Sequence, residues 1–163
     1  MIAVRFEVAE WGTGLLHYDG DQLIDLEEPA PRTRTGSQAS APPGAEGLVS
    51  RITAFLGGEE IAFDDVDCAA AYDWFGLSEL DQRMVEAVRT IPRGETASYR
   101  EIAELAGRPR AARSAGGACA RGPLSIIVPY HRVIRGDGSI GMYGELGEER
   151  KRRLLALEGS HAR

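Results

Sequence analysis

The apolar run at residues 124–128 constrains the second half of this chain most strongly, because it leads directly into a proline. Its residues, Leu-Ser-Ile-Ile-Val, are short and mostly β-branched, which predicts a buried strand or extended segment. Pro129 has no N–H group to donate, so a strand ladder would end there. Tyr130 and His131 follow at once. The pattern predicts a phenol and an imidazole at the end of a buried element, where reactive groups are often placed. An ordinary turn is the plainer interpretation.

Length and composition exclude several classes of protein. With 163 residues, of which 43% are hydrophobic, the chain can form one large domain or two small ones. Its apolar runs are far too short for a membrane span, and its start alternates apolar and charged residues, unlike a secretory signal. The two cysteines and three histidines are too scattered for a disulfide framework or a zinc site. We therefore expect an intracellular, cytoplasmic protein without a metal or cofactor.

Charge is distributed very unevenly along the chain. Residues 1–76 contain 14 acidic and 4 basic side chains, whereas residues 77–163 contain 11 and 15. Between Glu104 and Asp137 there is no acidic residue, but there are six arginines, at positions 108, 110, 113, 121, 132 and 135. Arginine suits bidentate contact with phosphate, so this block predicts a polyanionic partner. A solvated basic face is the alternative.

Residues 1–73 are predicted to form a small α/β scaffold domain. Alternating apolar residues and turn signals at 12–14 and 19–21 indicate an antiparallel meander. Its strands are predicted at 2–8, 15–18 and 22–26, with a further short strand at 59–67. One helix is predicted at 45–56 and ends at two glycines. The composition of residues 29–44, rich in proline, serine and glycine, predicts a long loop.

Residues 74–163 are predicted to form a mainly α-helical second domain. Ser78 with Asp81, and Ser98 with Glu101, are capping-box signatures that begin two helices. A third helix is predicted at 110–120, after a tight turn that contains glycine and proline. Two short helices joined in this way resemble a helix-turn-helix. The predicted fold class is therefore an α/β N-terminal domain followed by a mainly α domain with a winged-helix-like DNA-binding architecture.

The predicted third helix is unusually rich in small residues. Its two adjacent glycines cost roughly 1 kcal/mol each in a helix interior. Small side chains allow close approach, and the surrounding arginines suggest that nucleic acid is what approaches. Tight packing on another helix is the alternative. A face of alanine, serine and glycine can contact phosphates but can hardly read base edges, so DNA binding should depend little on sequence.

Several short motifs, in this order and spacing, resemble the DNA alkyltransferases that repair O6-alkylguanine and their alkyltransferase-like relatives. The resemblance covers about residues 74–159. It rests on Ile91-Pro92-Arg93-Gly94-Glu95-Thr96, Ser98-Tyr99, Arg110-Ala111-Ala112-Arg113, Gly116-Gly117, Ile126-Ile127-Val128-Pro129, His131-Arg132-Val133, Gly138, Tyr143, Lys151, Leu154-Leu155 and Glu158. The first half matches only in outline.

The resemblance implies a role for each matching residue. Tyr130 stands where the family has its alkyl-accepting cysteine, and His131 and Glu158 would form the relay that deprotonates that cysteine through a water. Tyr99 would rotate a phosphate and promote flipping of a nucleotide, while Arg113 would fill the vacated space from the minor groove. Further DNA contacts would come from Arg110, Ala112, Ser114 and Gly116. The base pocket would be lined by Tyr99, Gly122, Tyr130, Val133, Tyr143, Gly144 and Glu145.

Three departures from the family pattern bear on activity. At Tyr130 a phenol, with an ordinary pKa of about 10, replaces a thiol and cannot perform transfer to sulfur. Cys119, eleven residues upstream, does not simply substitute for it. Gly122 stands where the family has a hinge asparagine. Residues 144–147 form a loop one residue longer than the usual Gly-Gly-Leu, which adds Glu145.

These observations leave three hypotheses. The first is a monomeric, nucleoid-associated protein that binds double-stranded DNA with a damaged base, flips an O6-alkylguanine without alkyl transfer and passes it to nucleotide-excision repair proteins. The second is a glycosylase-like hydrolase, in which His131 and Glu158 act as a general base on a flipped deaminated or alkylated base, assisted by Tyr130 and Glu145. The third is a DNA-binding regulator or a degenerate family member.

Overall fold

The computed structural model describes residues 1–31 and 40–160. The chain divides into two compact units. The first unit comprises the described residues of Met1–Phe75 together with Pro123–Ser125. The second comprises Gly76–Gly122 and the described residues from Ile126 onward. A small antiparallel sheet with helices comes first and a mainly helical region follows, which confirms the predicted fold class.

The first unit is built on an antiparallel sheet in the order β1-β2-β3. The strands are β1 (Ile2–Val8), β2 (Gly12–Asp19) and β3 (Gln22–Ala30). Two helices follow in the part of this unit that the structure describes: α1 (Ala45–Leu56) and α2 (Ala69–Trp74). The third strand extends beyond the predicted 22–26, so the loop predicted at 29–44 begins later. Residues 32–39 of that loop lie outside the described residues.

The first turn of the meander lies earlier than predicted. The glycines at positions 12 and 14 predicted a turn at 12–14, but β2 already begins at Gly12 and the turn occupies residues 9–11. Glu10 and Gly12 both have positive φ angles, of 67° and 104°. The reversal therefore places a non-glycine residue in the left-handed region, which a pattern of glycines does not reveal.

The prediction of a strand at residues 59–67 is wrong, because this segment contains turns instead. Side-chain contacts tether it to α1. The Arg51 guanidinium donates to the Asp65 carboxylate at 3.0 Å, and the Phe63 ring meets the Phe55 ring edge-on, with centroids 5.9 Å apart. The segment is thus held by a salt bridge and an aromatic contact rather than by a strand ladder. The α2 helix is a further difference, because no helix is predicted at residues 69–74.

The described residues of the second unit form four α-helices and two short strands. They are α3 (Glu79–Arg89), β4 (Ala97–Ser98), α4 (Tyr99–Leu105), α5 (Ala112–Arg121), β5 (Val133–Ile134) and α6 (Gly147–Leu157). The strands pair in parallel, with Ala97 opposite Val133 and Ser98 opposite Ile134. This pairing brings the start of α4 close to the segment that follows Tyr130. The third helix begins at Ala112, two residues later than predicted.

Serine caps begin two helices of this unit, as the sequence predicts. The Ser98 Oγ accepts from the Glu101 N–H at 3.2 Å, and the Glu101 carboxylate accepts from the Ser98 N–H at 2.6 Å, which completes a capping box. The Ser78 Oγ accepts from the Asp81 N–H at 3.1 Å. The Asp81 carboxylate accepts instead from the Arg121 guanidinium at 3.0 Å, linking α3 to α5.

The apolar run at 124–128 is buried but is not a strand. Leu124 and Ile126 have positive φ angles of 61° and 75°, which are incompatible with a regular strand. Burial of their side chains accompanies this strained conformation. After Pro129 the chain forms one 3-10 turn, Tyr130–Arg132, before β5 begins. Tyr130 and His131 therefore follow a buried segment, as predicted, but this segment contains turns and is not a strand.

Candidate functional site

A buried ionic cluster lies where the 3-10 turn meets the end of α6. The Glu158 carboxylate lies 3.0 Å from His131 Nε2 and accepts from Arg132 through Nε at 3.0 Å and Nη2 at 2.6 Å. Arg132 also donates from Nη1 to the Ile91 carbonyl at 2.6 Å. The side chains of His131 and Glu158 have no exposed surface. The predicted His–Glu pair is therefore present and shares its carboxylate with an arginine.

The Glu158 carboxylate is held in its ionised form. Burial alone would raise its pKa, but hydrogen bonds and charge from His131 and Arg132 outweigh burial and lower the pKa to about 2. A carboxylate in this state keeps its charge throughout the physiological range. It can orient an imidazole, but it is a weak acceptor for a proton.

The sequence predicts no separate site role for Arg132, which counts among the six arginines of the basic block. The structure corrects this, because Arg132 points inward to Glu158 and its side chain is only 12% exposed. Four arginines of the block, at positions 108, 110, 113 and 135, are exposed. Arg121 is exposed but donates to Asp81. The sequence signals for its role are its position next to His131 and its place in the His131-Arg132-Val133 motif.

Tyr130 lies across the C-terminal end of α5. Its side chain is buried, with the whole residue 6% exposed. A Cβ atom placed on Gly122 would lie 2.0 Å from the Tyr130 hydroxyl oxygen and 2.4 Å from Cζ. The ring therefore occupies the volume that a side chain at position 122 would need. Two of the three departures from the family pattern are thus in direct contact.

Tyr99, the first residue of α4, lies between α5 and a glycine-rich loop. A Cβ on Gly116 would lie 3.9 Å from Tyr99 Cδ1, and one on Gly141 would lie 3.7 Å from the Tyr99 hydroxyl. Burial raises the pKa of the Tyr99 phenol, the Cys119 thiol raises it further, and Arg135 lowers it. The phenol stays protonated at neutral pH and can donate a hydrogen bond.

The α5 helix combines a packed face with an exposed one. Ala115 and Ala118 are buried where α5 packs against α3 and α4, so helix packing explains part of its small-residue composition. Arg113 and Ser114 are exposed, as is Arg110 just before the helix, while Ala112 and Gly116 are partly exposed. The exposed face carries the residues that were predicted to contact DNA.

The predicted pocket residues differ in their exposure. Tyr130, Val133 and Tyr143 are buried, Tyr99 and Gly122 are partly exposed, and Gly144 and Glu145 are exposed. Glu145 is therefore not held as a buried carboxylate beside Tyr130. The loop that contains Gly144 has positive φ angles at Gly141, Gly144 and Gly147.

Lys151 anchors this loop from α6. Its residue is 1% exposed, and Nζ donates to the Met142 carbonyl at 3.3 Å. Burial lowers its pKa to about 8, although the Cys119 thiol nearby acts in the opposite direction. Its anchoring role was not predicted, although Lys151 lies three residues before Leu154 on the buried face of α6.

Cys119 lies close to Lys151 and Tyr99, and its thiol is expected to be unreactive at neutral pH. Burial raises the pKa of its thiol to about 12, and the charge of Lys151 lowers it only in part. The thiolate is the reactive form of cysteine, so this thiol is a poor nucleophile.

Among the described residues, no three His, Cys, Asp or Glu side chains could together hold a metal ion. No helix of residues 1–31 and 40–160 is long and apolar enough to cross a membrane.

Comparison with known proteins connects this geometry to a family. Residues 79–160 match the family described as 6-O-methylguanine DNA methyltransferase, DNA binding domain. A methylated-DNA–protein-cysteine methyltransferase of Methanothermobacter thermautotrophicus is 42% identical over 124 residues, or 76% of this chain and 66% of that relative. A protein of the same description from Mycobacterium bovis is 46% identical over 121 residues, or 74% of this chain and 69% of that relative.

Solved structures are similar over nearly the whole chain. The Mycobacterium tuberculosis OGT in complex with DNA matches with a TM-score of 0.77 and 36% identity, covering 96% of this chain and 92% of that one. The O6-methylguanine-DNA methyltransferase of Pyrococcus kodakaraensis matches with a TM-score of 0.69 at 22% identity, covering 96% and 98%, and supports the fold alone. This chain therefore belongs to the 6-O-methylguanine DNA methyltransferase family.

Proposed function

We propose that this protein is a DNA-repair protein that binds duplex DNA containing a damaged base and flips an O6-alkylguanine into the pocket beside Tyr130, without transferring the alkyl group to cysteine. The observation that carries the proposal is a buried phenol at the acceptor position next to an intact His131–Glu158 pair. In this proposal the groups beside the acceptor position keep their roles, while the acceptor atom itself is replaced.

The DNA-binding part is supported by the exposed face around α5. Arg110 and Arg113 are exposed beside small residues that allow a phosphate backbone to approach, and no acidic residue interrupts the block. The similar Mycobacterium tuberculosis protein was solved in complex with DNA. Tyr99 is placed at the N-terminus of α4, with a protonated hydroxyl that can contact a phosphate. Arg113 would fill the space that a flipped base leaves.

The proposal excludes alkyl transfer because the two candidate nucleophiles, the Tyr130 phenol and the Cys119 thiol, are both weak. The phenol of Tyr130 is a much weaker nucleophile than a thiolate. A thiol with a pKa of about 12, like that of Cys119, is ionised at neutral pH to only about one part in 10⁵. In this proposal the captured lesion persists in the complex and is passed to nucleotide-excision repair proteins.

Selectivity for damage would come from the cost of flipping. Extruding a base costs a few kcal/mol, and least where the pair is already weakened by damage. In this proposal the loop from Gly141 to Gly147, which contains the buried Tyr143, moves to admit the base. Its three glycines with positive φ angles are positions where the backbone can change at little steric cost.

Hydrolysis of the flipped base has less support. Glu158, with a pKa of about 2 and bonded to Arg132, is poorly suited to take a proton from water. Glu145 is exposed and supplies no buried carboxylate beside Tyr130. Duplexes that contain hypoxanthine, uracil, xanthine or alkylated bases, incubated with excess protein and then treated with alkali, should show no strand cleavage. Cleavage of any of them would favour the glycosylase instead.

A gel-shift comparison tests the proposal. Matched duplexes with and without one O6-methylguanine are titrated with wild-type protein, with Arg113→Ala and with Arg5→Ala, a control that removes an exposed arginine of β1. We expect the wild type and the control to bind the damaged duplex roughly tenfold more tightly than the undamaged one. Arg113→Ala should lose most of that preference. Equal affinity of the wild type for both duplexes would refute lesion binding.

A further inference from the structure

Gly122 is the residue that follows the last turn of α5, and its backbone does not require glycine. Its φ and ψ angles are −66° and 135°, which is an extended conformation that any L-amino acid adopts. This distinguishes it from the loop glycines at 141 and 144, which have positive φ angles. The reason for a glycine at position 122 must lie in its surroundings.

The surroundings of Gly122 are dominated by the Tyr130 ring. A Cβ on Gly122 would lie 2.0 Å from the hydroxyl oxygen, 2.4 Å from Cζ and 2.9 Å from Cε1 of Tyr130. All three distances are shorter than real Cβ contacts. An exposed side chain could move away cheaply, but Tyr130 is only 6% exposed. The ring could yield only by moving other packed groups.

We propose that Gly122 is a positioning residue for Tyr130 and that the two form one specificity-determining unit at the floor of the base pocket. With glycine at position 122, the Tyr130 ring packs against the backbone at the C-terminal end of α5. A side chain at position 122 would displace the ring from this place, and in the proposed function Tyr130 borders the volume that a flipped base would occupy. The pocket part of this inference rests on the proposed function, whereas the steric coupling of the two residues does not.

Thermal unfolding tests the steric coupling without DNA. The variants are Gly122→Ala, Tyr130→Ala, the double variant, and Gly47→Ala as a control, because a Cβ on Gly47 in α1 would meet nothing within 4 Å. We expect Gly122→Ala to lower Tm by roughly 3–10 °C. The same change in the Tyr130→Ala background, and Gly47→Ala, should not lower Tm. An equal Tm decrease from Gly122→Ala in both backgrounds, or no decrease in either, would overturn the coupling.

A protein that fails to fold also gives a result. If Gly122→Ala cannot be obtained folded, the double variant must still be as stable as Tyr130→Ala alone, because removal of the ring removes the clash. A double variant that is less stable than Tyr130→Ala would contradict the inference. Circular dichroism of the purified or refolded variants distinguishes these cases.

Gel shifts with matched duplexes, with and without O6-methylguanine, test the role of the pair in the pocket. Gly122→Ala should reduce the preference for the damaged duplex by roughly tenfold. The double variant should regain part of the preference. Coupled Tm values with an unchanged preference in Gly122→Ala would overturn the pocket role. A wild type without any preference would refute the proposed function, while the Tm data would still decide the coupling.

Discussion

Replacement of Glu158 by glutamine should remove the negative charge of the buried ionic cluster. The carboxylate accepts from Arg132 and lies 3.0 Å from His131 Nε2, and its side chain is fully buried. Glutamine keeps the shape and one acceptor oxygen but not the charge. Arg132 would then be left partly buried without its counter-ion, which is the costly way to break such a pair.

The size of the effect follows from the pKa. Lowering the Glu158 pKa from 4.5 to about 2 corresponds to about 3 kcal/mol, at about 1.4 kcal/mol for each tenfold change in proton affinity. Because the folded-state pKa is lower than the unfolded one, this stabilisation is fully present above about pH 4.5. It is lost as pH falls through 2, and about half of it should be gone at pH 3.

Urea unfolding at pH 7, 5, 4 and 3 measures this effect. Glu149→Gln serves as the control, because Glu149 lies exposed in the first turn of the same helix. We expect Glu158→Gln to be about 3 kcal/mol less stable than the wild type at pH 7, and the difference to shrink by about half at pH 3. The control should stay within about 0.5 kcal/mol of the wild type. A deficit in Glu158→Gln that does not change with pH would refute this reasoning.

Three further predictions concern the same unit. Ser98→Ala removes the capping box of α4 and should lower the free energy of unfolding by about 1 kcal/mol in urea titrations, and an unchanged midpoint would contradict the cap. Lys151→Met removes the anchor on the Met142 carbonyl and should speed hydrogen exchange at residues 141–147, whereas unchanged protection would mean that the anchor is dispensable. Cys119 should react with iodoacetamide at pH 8 at least about 100-fold more slowly in the folded protein than in urea, and similar rates would contradict its high pKa.

Local signals in the sequence predicted much of this fold. The serine caps at Ser78 and Ser98 identified the starts of α3 and α4, because capping depends on residues within one turn. The alternation of β1 and the apolar face of α1 were equally readable. Each of these features is set by neighbours in the chain, so a single sequence contains the information that defines it.

Features set by distant residues escaped prediction. A β-branched residue prefers a strand, but Ile126 has a positive φ angle. Its side chain is buried in the folded protein, and the sequence of its neighbours does not reveal that burial. Arg132 reads like the other arginines of its block, but its partner Glu158 lies 26 residues away. The contact between Gly122 and Tyr130 links two departures that the sequence presents as separate.

The most direct test of the central claim follows one methyl group. A duplex with O6-methylguanine labelled in its methyl group is incubated with wild-type protein and with Tyr130→Cys, and both the retarded complex and the denatured protein are assayed for label. We predict that the wild type forms the complex while all label stays in the DNA, and that Tyr130→Cys acquires some label. Label on the denatured wild-type protein, or no preferential complex with the damaged duplex, would contradict lesion binding without transfer.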